Sequence, residues 1–224
     1  MADKEITFDG QPPTDKQKYE AMDLAYIKTR WNNRAYKWEQ EVKDFTSHLN
    51  RGDSYNRFIE ILDFVINNMD QSTRNILVEL GCGTGLVLER FSSLFQQSVG
   101  IDISENMLDV ARSKNIGNAI FINDNVFDYL CENDEAAMIV SRGVLLSHYG
   151  QDLAVKLLEL SFNSLKRGGK IFFDMINATD DDRPKQKTAY TANEVVEIAE
   201  KIGFKNIRVY GEEGYPLLYL EAEK

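Results

Sequence analysis

Three glycines at alternate positions, Gly81, Gly83 and Gly85, separate a short apolar run, Ile76 to Val78 closed by Glu79 and Leu80, from residues that return at helical spacing: Leu86, Val87, Phe91, Leu94 and Phe95. The pattern predicts a strand-to-helix turn. Without a Cβ, such a turn bends sharply and brings its backbone amides against a bound ligand. Ser98 to Asp102 is a second short apolar strand, and it ends in an acid 21 residues after Gly81. A carboxylate at the tip of the second parallel strand, roughly 20 residues past the glycine turn, can accept two hydrogen bonds from a ribose diol. A tight turn that binds nothing, or a strand that ends in an acid by chance, is common alone. Turn, helix and acid together define a nucleoside half-site and leave the nucleoside open.

Spacing separates the cofactors. Dinucleotide folds use G-x-G-x-x-G, because a pyrophosphate sits on the helix N-terminus. Here the run is Glu79-Leu80-Gly81-Cys82-Gly83-Thr84-Gly85, with an acid two residues before the first glycine and no third glycine at the dinucleotide position. It resembles motif I of the class I S-adenosylmethionine-dependent methyltransferases, and the resemblance extends from about Ser54 to the C-terminus. It implies S-adenosyl-L-methionine as cofactor. Glu79 and the backbone of Gly81, Cys82, Gly83 and Gly85 would face the methionyl ammonium and carboxylate, and Asp102 would hold the ribose hydroxyls. Ile103 and Met107 would lie near the adenine, although Met107 serves equally well as core. Asn123-Asp124-Asn125-Val126 stands where the family commonly carries Gly-Asp-Ala. An acid there can accept from the adenine amine while a following amide donates to the ring, or the segment is a plain turn with a surface aspartate. Asn123 in the glycine place is tolerable, because Asn also adopts left-handed geometry. Ser141 ends the fourth strand beside this site. Family members often begin that strand with an aspartate, but Ala137 stands near that place, so no argument rests on an acid there.

Methyl transfer from a sulfonium is an in-line displacement on an already activated carbon. The protein must align donor and nucleophile, exclude water and, for some acceptors, remove a proton. No nucleophile triad or metal cluster is required, and the sequence suggests neither. His148, following the fourth strand, is the leading general-base candidate by its pKa class, with Tyr149 as the neighbouring alternative. A structural histidine at the start of the next helix is the plain alternative. Arg142 would bind a carboxylate or phosphate of the acceptor, or else pair with one of the 36 acids.

The elements that must position these residues read as an α/β fold. Residues 1–14 are polar and read as a flexible tail, and residues 15–53 as an N-terminal helical cover. Helix is expected over 15–50 with a break near Asn32-Asn33, carrying Tyr19, Tyr26, Trp31, Tyr36, Trp38 and Phe45, either as packing or as a roof over the site. Arg51 to Ser54 reads as a break with a cap, followed by a helix from Tyr55 to Met69. Within 54–224, the cofactor domain, Ser104 caps a helix, Ala119 to Ile122 and Ala137 to Val140 are strands, and Gln151 to Leu165 is a helix closed by Lys166-Arg167-Gly168-Gly169. Lys170 to Met175 is the fifth strand, and 177–189 a polar connection. Thr191 caps a helix through Ile202. Lys205 to Tyr210 and Pro216 to Ala222 form a hairpin around Gly211 to Gly214. The expected architecture is a Rossmann-like seven-stranded methyltransferase sheet, five parallel βα units and a C-terminal antiparallel hairpin.

The formal charge of −10 repels phosphate backbones, and no Lys/Arg cluster offsets it, so nucleic acid is not expected as a partner. No apolar run approaches the ~20 residues that span a bilayer, and the N-terminus lacks signal-peptide regions. Cys82 and Cys131 are too few for a disulfide framework, which suggests a reducing cytoplasm. The reading is methyl transfer to O or N of a small-molecule acceptor by a monomer or homodimer. The alternatives are a regulatory protein that binds the cofactor without turnover, or attack at another sulfonium carbon, as in a cyclisation.

Overall fold

Strands that carry apolar residues on both faces need cover on both sides, and this chain supplies it. The computed structural model describes residues 24–44, 51–144, 150–178, 189–211 and 215–224. The elements in chain order are α1 (Leu24–Arg34), a 3₁₀ turn (Ala35–Lys37), α2 (Trp38–Val42), α3 (Arg51–Asn67), β1 (Ile76–Leu80), α4 (Leu86–Phe91), β2 (Gln97–Asp102) and α5 (Glu105–Ser113). They continue with β3 (Ala119–Asn123), α6 (Val126–Glu132), β4 (Ala136–Ser141), α7 (Gln151–Ser164), β5 (Leu165–Asn177), β6 (Ala189–Tyr190), α8 (Ala192–Ile202), β7 (Lys205–Tyr210) and β8 (Leu217–Glu223). One sheet runs β3-β2-β1-β4-β5-β8-β7, with β6 beside the end of β5. The first five strands are parallel, and β8 inserts antiparallel between β5 and β7.

Side chains alternate across β1 and divide the core in two. Leu77 faces Phe58, Leu62 and Ile66 of α3 and Val87, Leu88 and Phe91 of α4. Val78 and Leu80 face Leu130 of α6, Leu157 and Leu158 of α7, and Val195 and Ala199 of α8. Glu79 therefore shares the α3/α4 face with Leu77. β1 lies between β2 and β4, with Leu80 opposite both Ile101 and Ser141. Three strand ends thus meet where the glycine turn begins.

The expected α/β architecture and terminal hairpin are present, but the sheet has eight strands, not seven. The additional one, β6, pairs Ala189 and Tyr190 with Ile176 and Asn177 of a long β5, and two residues are too few to show a period in the sequence. Arg51 to Ser54 do not form a break: α3 begins at Arg51 and includes Gly52 and Asp53, and an acid in the first turn suits the helix dipole. Lys166 to Gly169 do not close α7, which stops at Ser164. Leu165 already pairs with Ala136, and the four residues form an irregularity before Lys170 pairs with Met138. Lys166 Nζ instead binds Asn75 Oδ1 at 2.7 Å. The N-terminal helix breaks at Ala35–Lys37, just after Asn32-Asn33. α6, capped by the Asn125 side chain on the Phe127 amide, was not expected from the sequence. The expected caps Ser104 and Thr191 both form, the latter as a capping box with Glu194. The proposed tail, 1–14, lies outside the described residues.

Gly100, in the middle of β2, is where helix and sheet come closest. A Cβ there would lie 2.8 Å from Cys82 Sγ and 2.9 Å from both Leu88 Cδ1 and Phe121 Cδ1. Gly100→Ala is therefore expected to destabilise the fold by about 1–3 kcal/mol through overpacking. Gly117→Ala, where a Cβ meets nothing within 4 Å, is expected to be near neutral. Denaturant unfolding of the two variants checks the contrast.

Candidate functional site at the glycine turn

All three glycines of the turn have left-handed backbone, with φ of +68° at Gly81, +53° at Gly83 and +75° at Gly85. The turn folds back over β2: the Gly81 and Cys82 amides both donate to the Ile101 carbonyl, at 2.8 and 3.0 Å. The Cys82 side chain points into the core against Gly100, so only its backbone faces the turn, and burial pushes its thiol pKa up. At Gly81 the space of a Cβ is filled by Val144, and at Gly85 it is bounded by Ala111 and Phe121.

Asp102 is the fixed point of the site. It is 8% exposed; Oδ2 accepts from the Gly83 amide and Oδ1 from the Ser104 amide, each at 2.8 Å. One carboxylate thus ties the glycine turn to the start of α5, and each oxygen keeps a second lone pair for a ligand hydroxyl. Burial raises its pKa to about 6 against the pull of those two amides. Behind it, the Asp102 carbonyl accepts from Asn123 Nδ2 at 3.0 Å and the Asp124 amide at 3.2 Å. Asn123 does not take left-handed geometry; it extends β3, paired with Asp102. The Asp124 carboxylate accepts from the Asn125 amide, and Val126 is buried at the start of α6. Ile103 is half-buried between β2 and α5. Met107 is buried, with Sδ 3.9 Å from the position of a Cβ on Gly83.

On the α3 side stand the charged residues. Glu79 is 3% exposed, and its Oε2 has no hydrogen-bond partner among the described residues. Burial, and then the neighbouring Asp102 charge, push its pKa up to about 8. Arg142, just past β4, lies over the Tyr55 ring at 5.2 Å, and its Nε has no hydrogen-bond partner among the described residues. Asp174 of β5 is buried and accepts from the Gly143 amide at 2.7 Å, and burial raises its pKa to about 6. The Ser141 hydroxyl donates to the Leu80 carbonyl at 3.2 Å and braces two strand ends. His148 and Tyr149 lie outside the described residues.

The N-terminal helices reach this site through contacts the sequence did not reveal. Asn32 of α1 accepts from the Ser104 hydroxyl at 2.7 Å and from the Asn106 amide at 3.3 Å, and Asn106 Nδ2 donates to the Asn32 carbonyl. The Trp38 indole nitrogen lies 3.5 Å from the position of a Cβ on Gly83. Trp31 packs edge-on against Trp38, with Arg34 over both rings. Lys114 joins Glu39 of α2 to Glu89 of α4, at 2.6 and 2.8 Å. With separations such as 72 residues between Asn32 and Ser104, no local pattern could have paired them. Asp174 and Tyr55 were also missed as neighbours of Arg142, because strand order brings Asp174 near and the packing of α3 on the sheet brings Tyr55. A cleft of about 250 Å³ at the opposite ends of the strands is lined by apolar residues such as Ile76, Val99, Ile122 and Ile139 and holds none of these groups.

These groups fit an adenosyl amino acid. A buried carboxylate with spare acceptor capacity suits a ribose diol, a buried carboxyl lacking a counter-ion suits an ammonium, and a left-handed turn presents amides to a carboxylate. Residues 77–169 match the family described as "Methyltransferase domain". The match and the sheet order are those of a class I S-adenosylmethionine-dependent methyltransferase domain.

The chain is 28% identical over 149 residues to an uncharacterised protein of Methanocaldococcus jannaschii, covering 58% of this chain and 65% of that protein. It is 29% identical to the ubiquinone biosynthesis O-methyltransferase of Idiomarina loihiensis, over 52% of this chain and 48% of that enzyme. The matches thus span about half to two thirds of the length of these relatives. Magnesium protoporphyrin IX methyltransferase of Synechocystis, solved with bound SAH, shares the fold at a TM-score of 0.70 and 15% identity, covering 90% of this chain and 100% of that one.

Burial raises the pKa of Glu79 to about 8 and of Asp102 and Asp174 to about 6, so between the unfolded and folded values each group binds more protons in the folded state. Because the native state binds more protons, its stability is greatest on the acid side and falls as pH rises from the unfolded carboxylate values towards 8. Glu79→Gln removes the largest part of this loss. The variant is expected to gain roughly 2–4 kcal/mol relative to the parent between pH 5 and pH 8. Unfolding curves at the two pH values check it.

Proposed function

We propose that the chain transfers a methyl group from S-adenosylmethionine to an oxygen of a small-molecule acceptor. The observation that carries this reading is the Asp102 carboxylate, buried and held by the Gly83 and Ser104 amides with acceptor capacity to spare on each oxygen. The O-methyltransferase names among the relatives favour oxygen over nitrogen. The bound cofactor would supply a methyl group activated on a sulfonium. Asp102 would hold the ribose hydroxyls, Asp124, with Asn125 and Val126 behind it, would meet the adenine edge, and Met107 and Ile103 would pack on the ring. Glu79 would face the ammonium, and the amides of the turn the carboxylate.

The acceptor would enter beyond Ser141, where Arg142 and Tyr55 offer a cation and an aromatic face. His148 and Tyr149 belong to the segment after β4 and are the proposed proton acceptors for a hydroxyl. Residues 15–53 act as the cover, with Trp38 over Gly83 excluding water from the transfer. The absence of any need for phosphate backbone or bilayer, and two unpaired cysteines, suit a cytoplasmic small-molecule enzyme, monomeric or homodimeric.

Incubation with methyl-labelled cofactor and a panel of phenols, alcohols and amines tests the reading. Label should move only when an acceptor is present. Tight binding without turnover across the panel would replace the enzyme with a cofactor-binding protein. In calorimetry, Asp102→Ala is expected to lose about 2–4 kcal/mol of cofactor affinity as charge-assisted bonds go. Unchanged affinity in the folded variant would remove Asp102 from the site.

A further inference from the structure

Glu79 is the carboxyl of the turn with an oxygen left over. It is 3% exposed, and among the described residues Oε2 has no hydrogen-bond partner and no cation lies within the 4.0 Å of an ion pair. The groups around it come from several elements. From β2, Asp102 brings a second carboxylate, already engaged by two amides. From the turn comes the buried Cys82 thiol. Just past β4, Arg142 lies over the Tyr55 ring of α3, and its charge also acts on the buried Asp174 of β5. From the end of α5, Lys114 is taken up by Glu39 and Glu89. At the start of α4 the Leu88 amide favours the carboxylate, as the more distant Arg142 and Lys114 do.

A carboxyl buried beside another carboxylate, without its own counter-ion, keeps its proton. We propose that Glu79 is protonated in the free protein and releases that proton as a cationic group of the ligand enters the glycine turn, so that proton and cofactor compete for one position. Entry then exchanges one positive charge for another, and the buried charge of the turn stays constant. This rests on the cofactor reading of the preceding subsection. Burial and the Asp102 charge, which hold the Glu79 pKa at about 8, set the exchange in the neutral range.

Titration calorimetry at pH 6.5 tests it, with S-adenosylmethionine and with S-adenosylhomocysteine, in buffers of different ionisation heat. At that pH the ligand ammonium is fully charged and does not contribute. The wild-type protein is expected to release about one proton per ligand bound, and its Kd to fall roughly tenfold from pH 6 to pH 7. In Glu79→Gln the release should drop to the small fraction that Asp102 supplies. Heats that do not depend on the buffer, with binding intact, overturn the proposal and leave the cofactor reading standing. Failure of folded protein to bind either ligand overturns both. Should Glu79→Gln not fold, the wild-type slope decides, and a flat Kd between pH 6 and pH 7 sinks the exchange.

Discussion

Two amide hydrogen bonds to one buried carboxylate hold the site in shape. Asp102 is placed by β2, and its oxygens reach back to Gly83 in the preceding turn and forward to Ser104 at the next helix. The Ile101 carbonyl fixes the other side of the same turn through Gly81 and Cys82. These bonds require the turn to lie almost on β2, which only the missing Cβ of Gly100 and the left-handed glycines permit. Close packing of the sheet and presentation of the ligand amides are thus one requirement.

The cost of the arrangement is electrostatic. Glu79, Asp102 and Asp174 lie at the ends of β1, β2 and β5, all buried, and the Arg142 charge acts on the first and the last without an ion pair to either. A core optimised for stability would have paired these charges or replaced them. Here they have amide donors but no ion pair among the described residues, the kind of local cost that proteins accept at functional positions.

What the sequence disclosed follows from the range of each signal. The glycine turn, the acid at the tip of β2 and the caps at Ser104 and Thr191 are set by residues within a few positions of one another, and all were readable. The β6 pairing was not, since two residues carry no period, and Lys166-Arg167-Gly168-Gly169 looked like a helix end because basic residues and glycines suit one. Asp174 comes near Arg142 through the strand order β4-β5 and Tyr55 through the packing of α3, and Asn32 meets Ser104 only through tertiary packing. Asn123 stands where a glycine is common, and strand pairing keeps it extended, so no left-handed residue is needed there.

Asn32 does more than rest on the domain: with Ser104 and Asn106 it completes the N-terminal cap of α5. The first helices are therefore not an interchangeable module. A chimera that takes its N-terminal segment from another methyltransferase, in order to import a different acceptor preference, would leave the Ser104 hydroxyl and the Asn106 amide without their acceptor. The natural crossover for such grafts lies after α5 rather than before β1, so that the cap and its helix travel together.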